Sequence, residues 1–402
     1  MTPHLLYIGG EDHNLRIPAM LALRDHGIRV TAAGTGDAAP FVRAGIDYRR
    51  YCFERFINPL ADWAAIKTVA RLLLDVRPDI AQSFDTKPSL LLPLAARGIR
   101  EVLVIRTITG RAWLYSSRSP LALALRPVYR ALHRLAARST AATVFQNHDD
   151  LAYFERHRMV GRGAIRVIPE AVDIDGFERA LTLGPSPAPL RDELGLGTSE
   201  VVITVARMTR QKVSTLLKAA ALVHQARPGV RFLLVGPRES EGPLAITQGE
   251  IDRHAPYVMA IGPRSDIPAL LRLADVFAFP TEYREGLPRA LLEAALAGLP
   301  IVTTSIPGCR DVIRDGWNGF LVPPRAPHML AAKILDLLRD RETGRTMGRR
   351  AAELARREFG LRTIVARQAA LYAELIARSD GSRLPMMDGS VEHEPCGREV
   401  CS

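Results

Sequence analysis

The sequence predicts an α/β protein built from two Rossmann-like domains. Short apolar runs alternate with helical stretches along the chain, which is typical of parallel sheets with helices on both faces. The alternation breaks once, at the proline-rich segment LGPSPAP, and then resumes. With 402 residues, of which 47% are hydrophobic, the chain has enough material for two cores.

The first half opens with a β-α-β unit. The run HLLYIGG predicts a strand that ends in glycines, and RIPAMLALRDHGIRVTAAG predicts a helix, a stop at Gly27 and a second strand. Further strands are predicted in PDIAQSF, EVLVIRTI, AATVFQN and IRVIPEAV, and a long helix in PLALALRPVYRALHRLAARS. We therefore expect a doubly wound, mostly parallel first sheet.

The second half repeats this architecture after the break. Strands are predicted in VVITVAR, VRFLLVGP, YVMAIGP, VFAFPT and PIVTTS, and helices around 214–226, 267–273 and 288–298. We expect domains at 1–178 and 179–358 and a helix at 359–379 that packs back on the first domain. The tail at 380–402 is polar and turn-rich, and we expect it to be disordered.

Charge and cysteine content limit the partners and the compartment. The formal net charge is +11, so the chain should bind anions: nucleic acid, an anionic membrane face or phosphorylated substrates. The 4 cysteines include no CxxC pair, which indicates a reducing cytoplasm and no structural zinc. The sequence has neither a signal-peptide pattern nor an apolar run long enough to span a bilayer, so we expect a protein that is neither secreted nor integral to a membrane.

Two carboxylates flank a glycine turn in the segment TEYREGLPRALLEAALAGLP. Glu285 and Glu293 have seven residues between them, and a helix is predicted to follow the turn. Glu285 would then hang over the start of this helix, and Glu293 would lie two turns along one side. The amides from Gly286 and Leu287 onward suit a sugar hydroxyl or a phosphate oxygen, because the first N–H groups of a helix carry partial positive charge.

Two cations follow the first strand of the second half. Arg207 and Lys212 lie five residues apart, at the carboxyl edge of the predicted sheet, where ligands of such sheets bind. Together they can clamp a diphosphate without a metal ion. Taken alone, paired glutamates are more often a solvated helix face and loop cations more often simple surface charges. The order of the two motifs in one α/β domain favours the binding site.

These motifs resemble those of the family-4 retaining glycosyltransferases of the GT-B fold. The Glu-x7-Glu motif of that family is matched by Glu285 and Glu293, and its Arg-x4-Lys pattern by Arg207 and Lys212. More weakly, NLRIPAMLALRDHG, INPLADW, RPDIAQSFDTKPS, TITGRAW and VFQNHDD resemble the bacterial subgroup that adds hexose or hexosamine to polyprenyl-diphosphate-linked saccharides. The resemblance implies two Rossmann-like domains that face each other across a cleft.

The resemblance also implies a role for each matched residue. Arg207 and Lys212 would bind the donor diphosphate, and Glu293 would take the ribose hydroxyls. Glu285 and the two amides after it would hold the donor hexose, with Glu285 the residue closest to a catalytic role.

The uracil and the reaction course are implied in the same way. The loop IGPRSD, with Gly262 and Arg264, would flank the uracil of a UDP-sugar. The family retains the anomeric configuration and generally needs no metal ion, so we expect no cofactor beyond the donor itself.

Three departures from the family pattern bear on the site. Val213 stands where relatives have a glycine after the lysine, which predicts a stiffer loop. Arg106 and Thr109 occupy the TITG region, where many relatives place a histidine against the donor sugar. Glu170 and Ala171 replace a small, glycine-bearing segment at the interdomain cleft.

An arginine stripe marks the first domain. From Val102 through His148 there is no Asp or Glu, and four arginines recur at every fourth residue among leucines: Arg126, Arg130, Arg134 and Arg138. A basic amphipathic helix is typical of contact with an anionic membrane face, and Trp113, Leu114 and Tyr115 could enter the interface. The alternative is that the leucines form the ordinary core face of a Rossmann helix and the arginines a solvated rim.

The expected enzyme transfers a hexose or N-acetylhexosamine from a UDP-sugar to a lipid-linked saccharide in cell-surface glycan assembly, on the cytoplasmic face of the plasma membrane. The acceptor-side candidates are Gly10, Arg16, Lys87, Arg106 and Arg111.

Two alternatives remain open at this point. One is transfer to a soluble acceptor. The other, prompted by the charge, is a nucleic-acid-binding protein, which the absence of a known reading motif and the aromatic content of 6% disfavour. An NAD-dependent enzyme is disfavoured because IGGEDHNLR lacks the GxGxxG fingerprint.

Overall fold

The structure is a computed structural model that describes residues 2–10, 13–54, 58–99, 101–110, 114, 119–284 and 286–379. Several predictions fall outside these residues: those for Glu285, Arg111, Trp113 and Tyr115, and the one for the tail at 380–402. The described residues form two parallel sheets with helices on both faces, which confirms the predicted fold class.

The first sheet has seven parallel strands in the order β3-β2-β1-β4-β5-β6-β7. Their bounds are β1 His4–Ile8, β2 Arg29–Gly34, β3 Asp47–Arg50, β4 Ile80–Ser83, β5 Leu103–Ile108, β6 Ala142–Phe145 and β7 Ala164–Val167. The strand order reverses between β1 and β4. This is the topological switch point, where a crevice forms beyond the carboxyl ends of the strands.

Among the described residues before 157, six helices and a 3-10 turn at His13–Arg16 cover the first sheet. They are α1 Ile17–Asp25, α2 Ala39–Arg43, α3 Pro59–Val76, α4 Pro88–Ala95, α5 Pro120–Ala137 and α6 His148–Arg156. Alternate residues of β1 pack on opposite faces: Leu5 and Tyr7 against α1, and Leu6 and Ile8 against α3 and α4. Helix α4 in turn packs on α5, so α3, α4 and α5 share one face.

The second sheet has six parallel strands in the order β10-β9-β8-β11-β12-β13. Their bounds are β8 Glu200–Val205, β9 Val230–Val235, β10 Val258–Gly262, β11 Val276–Phe279, β12 Ile301–Thr304 and β13 Phe320–Val322. A 3-10 helix at Glu239–Leu244 follows β9. The α-helices of this domain are α7 Ile174–Leu183, α8 Pro187–Glu193, α9 Arg210–Ala226, α10 Gln248–Asp252, α11 Ile267–Leu273, α12 Arg289–Leu296, α13 Cys309–Val312, α14 Pro327–Arg339 and α15 Arg341–Phe359.

The chain crosses between the domains at two adjacent points. The amide of Val172 donates to the carbonyl of Phe359 at 3.1 Å, and the amide of Leu361 donates to the carbonyl of Val172 at 3.1 Å. Helix α7 already packs against α11 and α12 of the second domain, so the first crossing lies at residues 172–173 rather than at 178.

The last helix, α16 at Leu361–Ser379, completes the core of the first domain. Tyr372 and Leu371 are buried there among residues of β1 and α1. The Tyr7 hydroxyl donates to Gln368 Oε1 at 3.0 Å, and the Tyr372 hydroxyl donates to Gln82. Burial raises the pKa of both tyrosines, so they remain neutral donors.

Helix α5 leaves most of its large aliphatic residues outside the core. Leu121 is 62% exposed and Val128 is 52% exposed, whereas Tyr129 and His133 are buried. The alternative in which the leucines of this helix line the core holds for Leu125, which packs on the core, but not for Leu121. The helix therefore presents an apolar face to solvent.

We predict that acid destabilises the first domain through its buried histidines. Burial lowers the pKa of His13 to about 3, and burial also lowers the pKa of His133. Below pH 6.5 an unfolded histidine takes up a proton that the buried ring does not. The free energy of unfolding should therefore fall by about 1.4 kcal/mol per pH unit per histidine as the pH drops from 6.5. Urea unfolding at pH 7, 6 and 5 measures this slope.

The matched variant is His13→Gln. Its amide can still donate to the Tyr7 carbonyl, to which His13 Nε2 lies at 3.1 Å, but it does not titrate. If the free energy of unfolding of His13→Gln fell with pH as steeply as that of the wild-type protein, His13 would not contribute to the acid sensitivity.

Candidate active site

The carboxyl edges of the two sheets meet at the turn before α12. The Gly286 amide donates to the Thr109 carbonyl at 2.8 Å, and Asn147 Nδ2 donates to the Gly286 carbonyl at 2.9 Å. Arg310 donates to both oxygens of Asp149, at 2.8 and 2.9 Å. Both sheets therefore direct their ligand-binding edges into one cleft, as the sequence predicts.

Close approach explains the glycine at position 286. A Cβ there would lie 2.1 Å from Gln146 Oε1 and 2.9 Å from the Thr109 carbonyl oxygen. The family resemblance implies that the Gly286 amide holds the donor sugar, but in this arrangement of the domains the amide donates to the Thr109 carbonyl. Leu287 is buried in the core of the second domain.

Lys212 lies in the first turn of α9 rather than in the loop that the sequence predicts, because the helix already begins at Arg210. Its side chain is mostly buried, and Nζ lies 5.7 Å from the ring centroids of both Phe279 and Tyr283. Val213, the departure from the family pattern, is fully buried in the core. Because Lys212 and Val213 are both buried in this first turn, the helix fixes the position of the Lys212 ammonium group.

Arg207 follows β8 and lies beside a buried carboxylate. Its Nη1 atom is 3.8 Å from Oε2 of Glu241, in the 3-10 helix after β9. Gly236 brings these strand ends together, because a Cβ there would lie 1.9 Å from the Ala206 carbonyl oxygen. Glu241 was not predicted from the sequence, although a carboxylate shortly after a predicted strand of this sheet could have indicated it. The pair orients the guanidinium at the sheet edge.

Glu293 lies on α12 at the side that faces the first domain. Its Oε1 atom accepts from Arg289 Nε at 2.9 Å, and Arg289 Nη1 donates to the Leu15 carbonyl of the first domain at 3.3 Å. The Glu293 carboxylate is thus held at the cleft by an arginine that also contacts the first domain. Glu285 lies outside the described residues.

The predicted uracil loop is stiffened by charge pairs. Gly262 adopts a φ of 71° at an irregularity in β10, and its carbonyl accepts from Gly236 at 2.9 Å. Arg264 donates to Asp266 at 2.9 and 2.6 Å and to Glu193 at 2.9 Å. These bonds raise the pKa of Arg264. Its positive charge is paired with Asp266 in the loop and with Glu193 at the end of α8.

Four of the acceptor-side candidates lie among the described residues, and two of them cluster at the switch point. The Gly10 amide donates to Oδ2 of Asp85 at 3.1 Å. Arg16 lies between Asp85, at 3.6 Å, and Glu170, at 3.4 Å. Asp85 was not predicted, although it directly follows the predicted strand PDIAQSF.

Lys87 forms an ion pair with Asp62 at 2.5 Å, between the starts of α4 and α3. It lies on the same loop as Asp85, after β4. The structure therefore keeps this predicted cation at the carboxyl edge of the sheet.

The acceptor-side prediction for Arg106 is wrong. Its side chain is fully buried on the α5 face of the sheet, where Nε donates to Thr143 Oγ1 at 3.0 Å and Nη1 to the His133 carbonyl at 3.1 Å. Burial lowers the pKa of Arg106 to about 10. Because strand residues alternate between faces, the Arg106 side chain lies under a helix, whereas Thr109, just beyond the strand end, lies at the cleft and accepts from the Gly286 amide.

No group of three or more His, Cys, Asp or Glu among the described residues is arranged to hold a metal ion. Arg207 and Lys212 place two positive charges at the carboxyl edge of the second sheet.

Two family models match the chain. Residues 9–171 match the glycosyl transferase 4-like domain, and residues 199–340 match glycosyl transferases group 1. The chain therefore belongs to the family-4 glycosyltransferases of the GT-B fold. Its first domain is the 4-like domain, and its second domain, with the Arg207–Lys212 pair, is the group 1 domain. The protein is therefore a glycosyltransferase enzyme, as the motifs predict.

Curated relatives and a solved structure agree with this assignment. A UDP-Gal:alpha-D-GlcNAc-diphosphoundecaprenol alpha-1,3-galactosyltransferase of Escherichia coli is 28% identical over 67% of this chain and 68% of its own length. An N,N'-diacetylbacillosaminyl-diphospho-undecaprenol alpha-1,3-N-acetylgalactosaminyltransferase of Campylobacter jejuni is 25% identical over 92% of this chain and 98% of its own. Sucrose-phosphate synthase from Thermosynechococcus elongatus has a TM-score of 0.76 at 17% identity, covering 94% of this chain and 100% of that chain, so the GT-B fold is shared.

We predict that Gly286→Ala prevents the two domains from docking. The added methyl group would collide with Gln146 and Thr109, so the closed cleft should become unfavourable by about 1–3 kcal/mol. The rate of glycosyl transfer should fall at least about tenfold, and small-angle X-ray scattering should show a larger radius of gyration. Gly249→Ala is the matched control, because a Cβ at that position meets no atom within 4 Å. Unchanged scattering and transfer for Gly286→Ala would rule out this contact as the closing element.

Proposed function

We propose that this glycosyltransferase moves a hexose or N-acetylhexosamine from a UDP-sugar to a lipid-linked saccharide, with retention of the anomeric configuration, in the assembly of a cell-surface glycan. The observation that carries this proposal is the placement of Arg207, Lys212 and Glu293 at one edge of the cleft. The switch-point crevice of the first domain lies at the other edge. The name of the Escherichia coli relative supports a UDP-sugar donor, and the names of both curated relatives support a diphosphoundecaprenol-linked acceptor.

The two cations serve the departure of the nucleotide. The acceptor hydroxyl oxygen bonds to the anomeric carbon, and the bond from that carbon to the β-phosphate oxygen breaks. The electron pair leaves with UDP, and the hydroxyl proton is released with the products. Arg207 and Lys212 stabilise the charge that grows on the diphosphate, and the partly buried position of Lys212 strengthens this effect. With these two groups in place the reaction needs no metal ion.

The exposed apolar face of α5 supports attachment to a membrane surface. Leu60 and Trp63, in the first turn of α3, are exposed as well. Because α3, α4 and α5 lie on the same face and begin at the carboxyl edge of the sheet, the exposed side chains near the starts of α3 and α5, which are Leu60, Trp63 and Leu121, lie toward the acceptor crevice.

Arginines flank this face on the side of α6. Arg126 donates to the Leu114 carbonyl at 3.2 Å, Arg130 to the Tyr153 hydroxyl at 3.0 Å and Arg134 to the His157 carbonyl at 3.0 Å. No helix among the described residues has the length and apolarity to cross a bilayer. We therefore propose peripheral binding to the anionic inner face of the plasma membrane.

The test is a panel of UDP-, GDP- and ADP-sugars with undecaprenyl-diphosphate-linked N-acetylglucosamine in vesicles. We expect nucleotide release and labelled lipid with a UDP-sugar. Lys212→Ala should lower kcat/KM by about tenfold to a hundredfold, because one charged contact to the diphosphate is lost. The matched control is Lys218→Ala on the exposed side of the same helix, which should leave the rate unchanged.

The outcomes separate the parts of the proposal. Label transferred only to a water-soluble sugar would exclude the lipid-linked acceptor. Preference for a GDP- or ADP-sugar would exclude the UDP donor, and equal rates for Lys212→Ala and Lys218→Ala would exclude the diphosphate clamp.

We predict that the double variant Leu121→Ser/Val128→Ser binds vesicles more weakly. Both side chains are exposed, so the substitutions should leave the fold intact while removing apolar contact with lipid. Affinity for vesicles with anionic lipid, measured by co-sedimentation, should fall at least about tenfold. Leu183→Ser, at an exposed leucine in the second domain, is the control.

The arginines supply a second arm of this experiment. Gln substitutions at Arg126, Arg130 and Arg134 should weaken binding to anionic vesicles more than to neutral ones, at about 1 kcal/mol per charge. Wild-type affinity in both sets of variants would mean that α5 is not the membrane face.

A further inference from the structure

The crevice between β1 and β4 contains a carboxylate that the family motifs do not assign. Asp85 lies two residues beyond the last residue of β4, and Gly10 lies two residues beyond that of β1. Ligands of doubly wound sheets bind at this switch point, outside the carboxyl ends of the strands. In the first domain this is the edge that faces the donor site.

The backbone of Asp85 is strained in a way that fixes its carboxylate. Its φ of 71° lies in the left-handed region, which costs a non-glycine residue about 1 kcal/mol or more. Oδ2 accepts from the Gly10 amide at 3.1 Å, and Oδ1 accepts from the Thr109 hydroxyl at 3.4 Å. The side chain remains 37% exposed, so the carboxylate is held in place and still accessible to a ligand.

A second carboxylate approaches the same arginine. Arg16 Nη2 lies 3.6 Å from Asp85, and Arg16 Nε lies 3.4 Å from Glu170. The guanidinium also stacks over the Phe84 ring, with Cζ 4.5 Å from its centroid. Gln146 Nε2 donates to the other oxygen of Glu170 at 2.5 Å. Glu170, a departure from the family pattern, is therefore part of a built cluster.

The charge of this cluster selects its ligand. Two carboxylates around one guanidinium leave a net charge of −1, which disfavours a phosphate and suits the hydroxyl groups of a neutral sugar. The cluster also touches the donor side, because Thr109, whose hydroxyl bonds Asp85, accepts from the Gly286 amide at 2.8 Å through its carbonyl. A hydroxyl bound at Asp85 is thus next to the turn that precedes α12.

We propose that Asp85 binds the reacting hydroxyl of the acceptor sugar, and that Arg16 and Glu170 form the rest of an acceptor-sugar subsite. The assignment rests on the proposed function. It deepens that function by giving the sugar of the acceptor a binding site of its own, distinct from the site of the acceptor's diphosphate. Asp85 accepts a hydrogen bond from the hydroxyl and thereby directs an oxygen lone pair at the anomeric carbon. The glycosidic bond then forms as the bond from the anomeric carbon to the β-phosphate oxygen breaks; UDP leaves with that electron pair, and the hydroxyl proton leaves with the products.

The test varies the concentration of undecaprenyl-diphosphate-linked N-acetylglucosamine in vesicles at a saturating concentration of the preferred donor. The variant is Asp85→Asn, because asparagine tolerates the left-handed backbone and its side-chain carbonyl can still accept from the Gly10 amide. We expect kcat/KM for the acceptor to fall about tenfold to a hundredfold, since a bond to a charged group becomes a bond to a neutral one. The Kd of UDP from calorimetry and the melting temperature should stay at the wild-type values.

Two controls keep the outcome interpretable. Asp75→Asn removes an exposed carboxylate of α3 away from the cleft and should leave acceptor kinetics unchanged. A water-soluble, short-chain form of the same acceptor should show the same loss with Asp85→Asn, which separates the subsite from membrane binding.

Failure of the inference differs from failure of the proposed function. If the wild-type protein transfers sugar and Asp85→Asn does so with an unchanged acceptor kcat/KM, the subsite assignment is overturned and the function stands. A weaker Kd for UDP in Asp85→Asn, matching the loss in rate, would also overturn it, because Asp85 would then act on the donor. No transfer by the wild-type protein with any nucleotide-sugar would count against the proposed function and the subsite together.

Discussion

The close approach of Gly286 to the first domain is the contact on which the cleft depends. Its amide bonds the Thr109 carbonyl and its carbonyl accepts from Asn147, so one residue of the second domain joins the ends of β5 and β6. Only a glycine leaves room for this contact beside Gln146. This docking brings the turn before α12 to the switch point of the first sheet, because Thr109 bonds both Gly286 and Asp85.

The arginines of this chain have different uses. Arg106 is buried as a structural donor to carbonyl and hydroxyl groups, Arg207 lies at the carboxyl edge of the second sheet, and Arg126 belongs to the arginine stripe on α5. The net charge of +11 is therefore not a measure of one binding surface. A guanidinium with five donors can satisfy buried carbonyls as well as external anions, and its surroundings decide which it does.

Most of the fold is predictable because buried parallel strands are continuous apolar runs. HLLYIGG and VRFLLVGP lie at β1 and β9, where the sequence places them. Two edge strands escape prediction: β3 is polar and largely exposed, and β13 has only three residues. Helix α9 begins four residues before its predicted start, because polar residues of its first turn carry no apolar period.

The sequence by itself determined the two α/β domains, the family and the two motifs of the proposed donor site, since these depend on local periodicity and on residues at short fixed spacings. The tertiary structure alone decided that Arg106 is buried, that Glu241 lies beside Arg207, and that Asp85, Arg16 and Glu170 meet at the switch point. These residues come from strand ends far apart in the chain. Only the parallel order of the sheets brings them together, and no local pattern encodes that proximity.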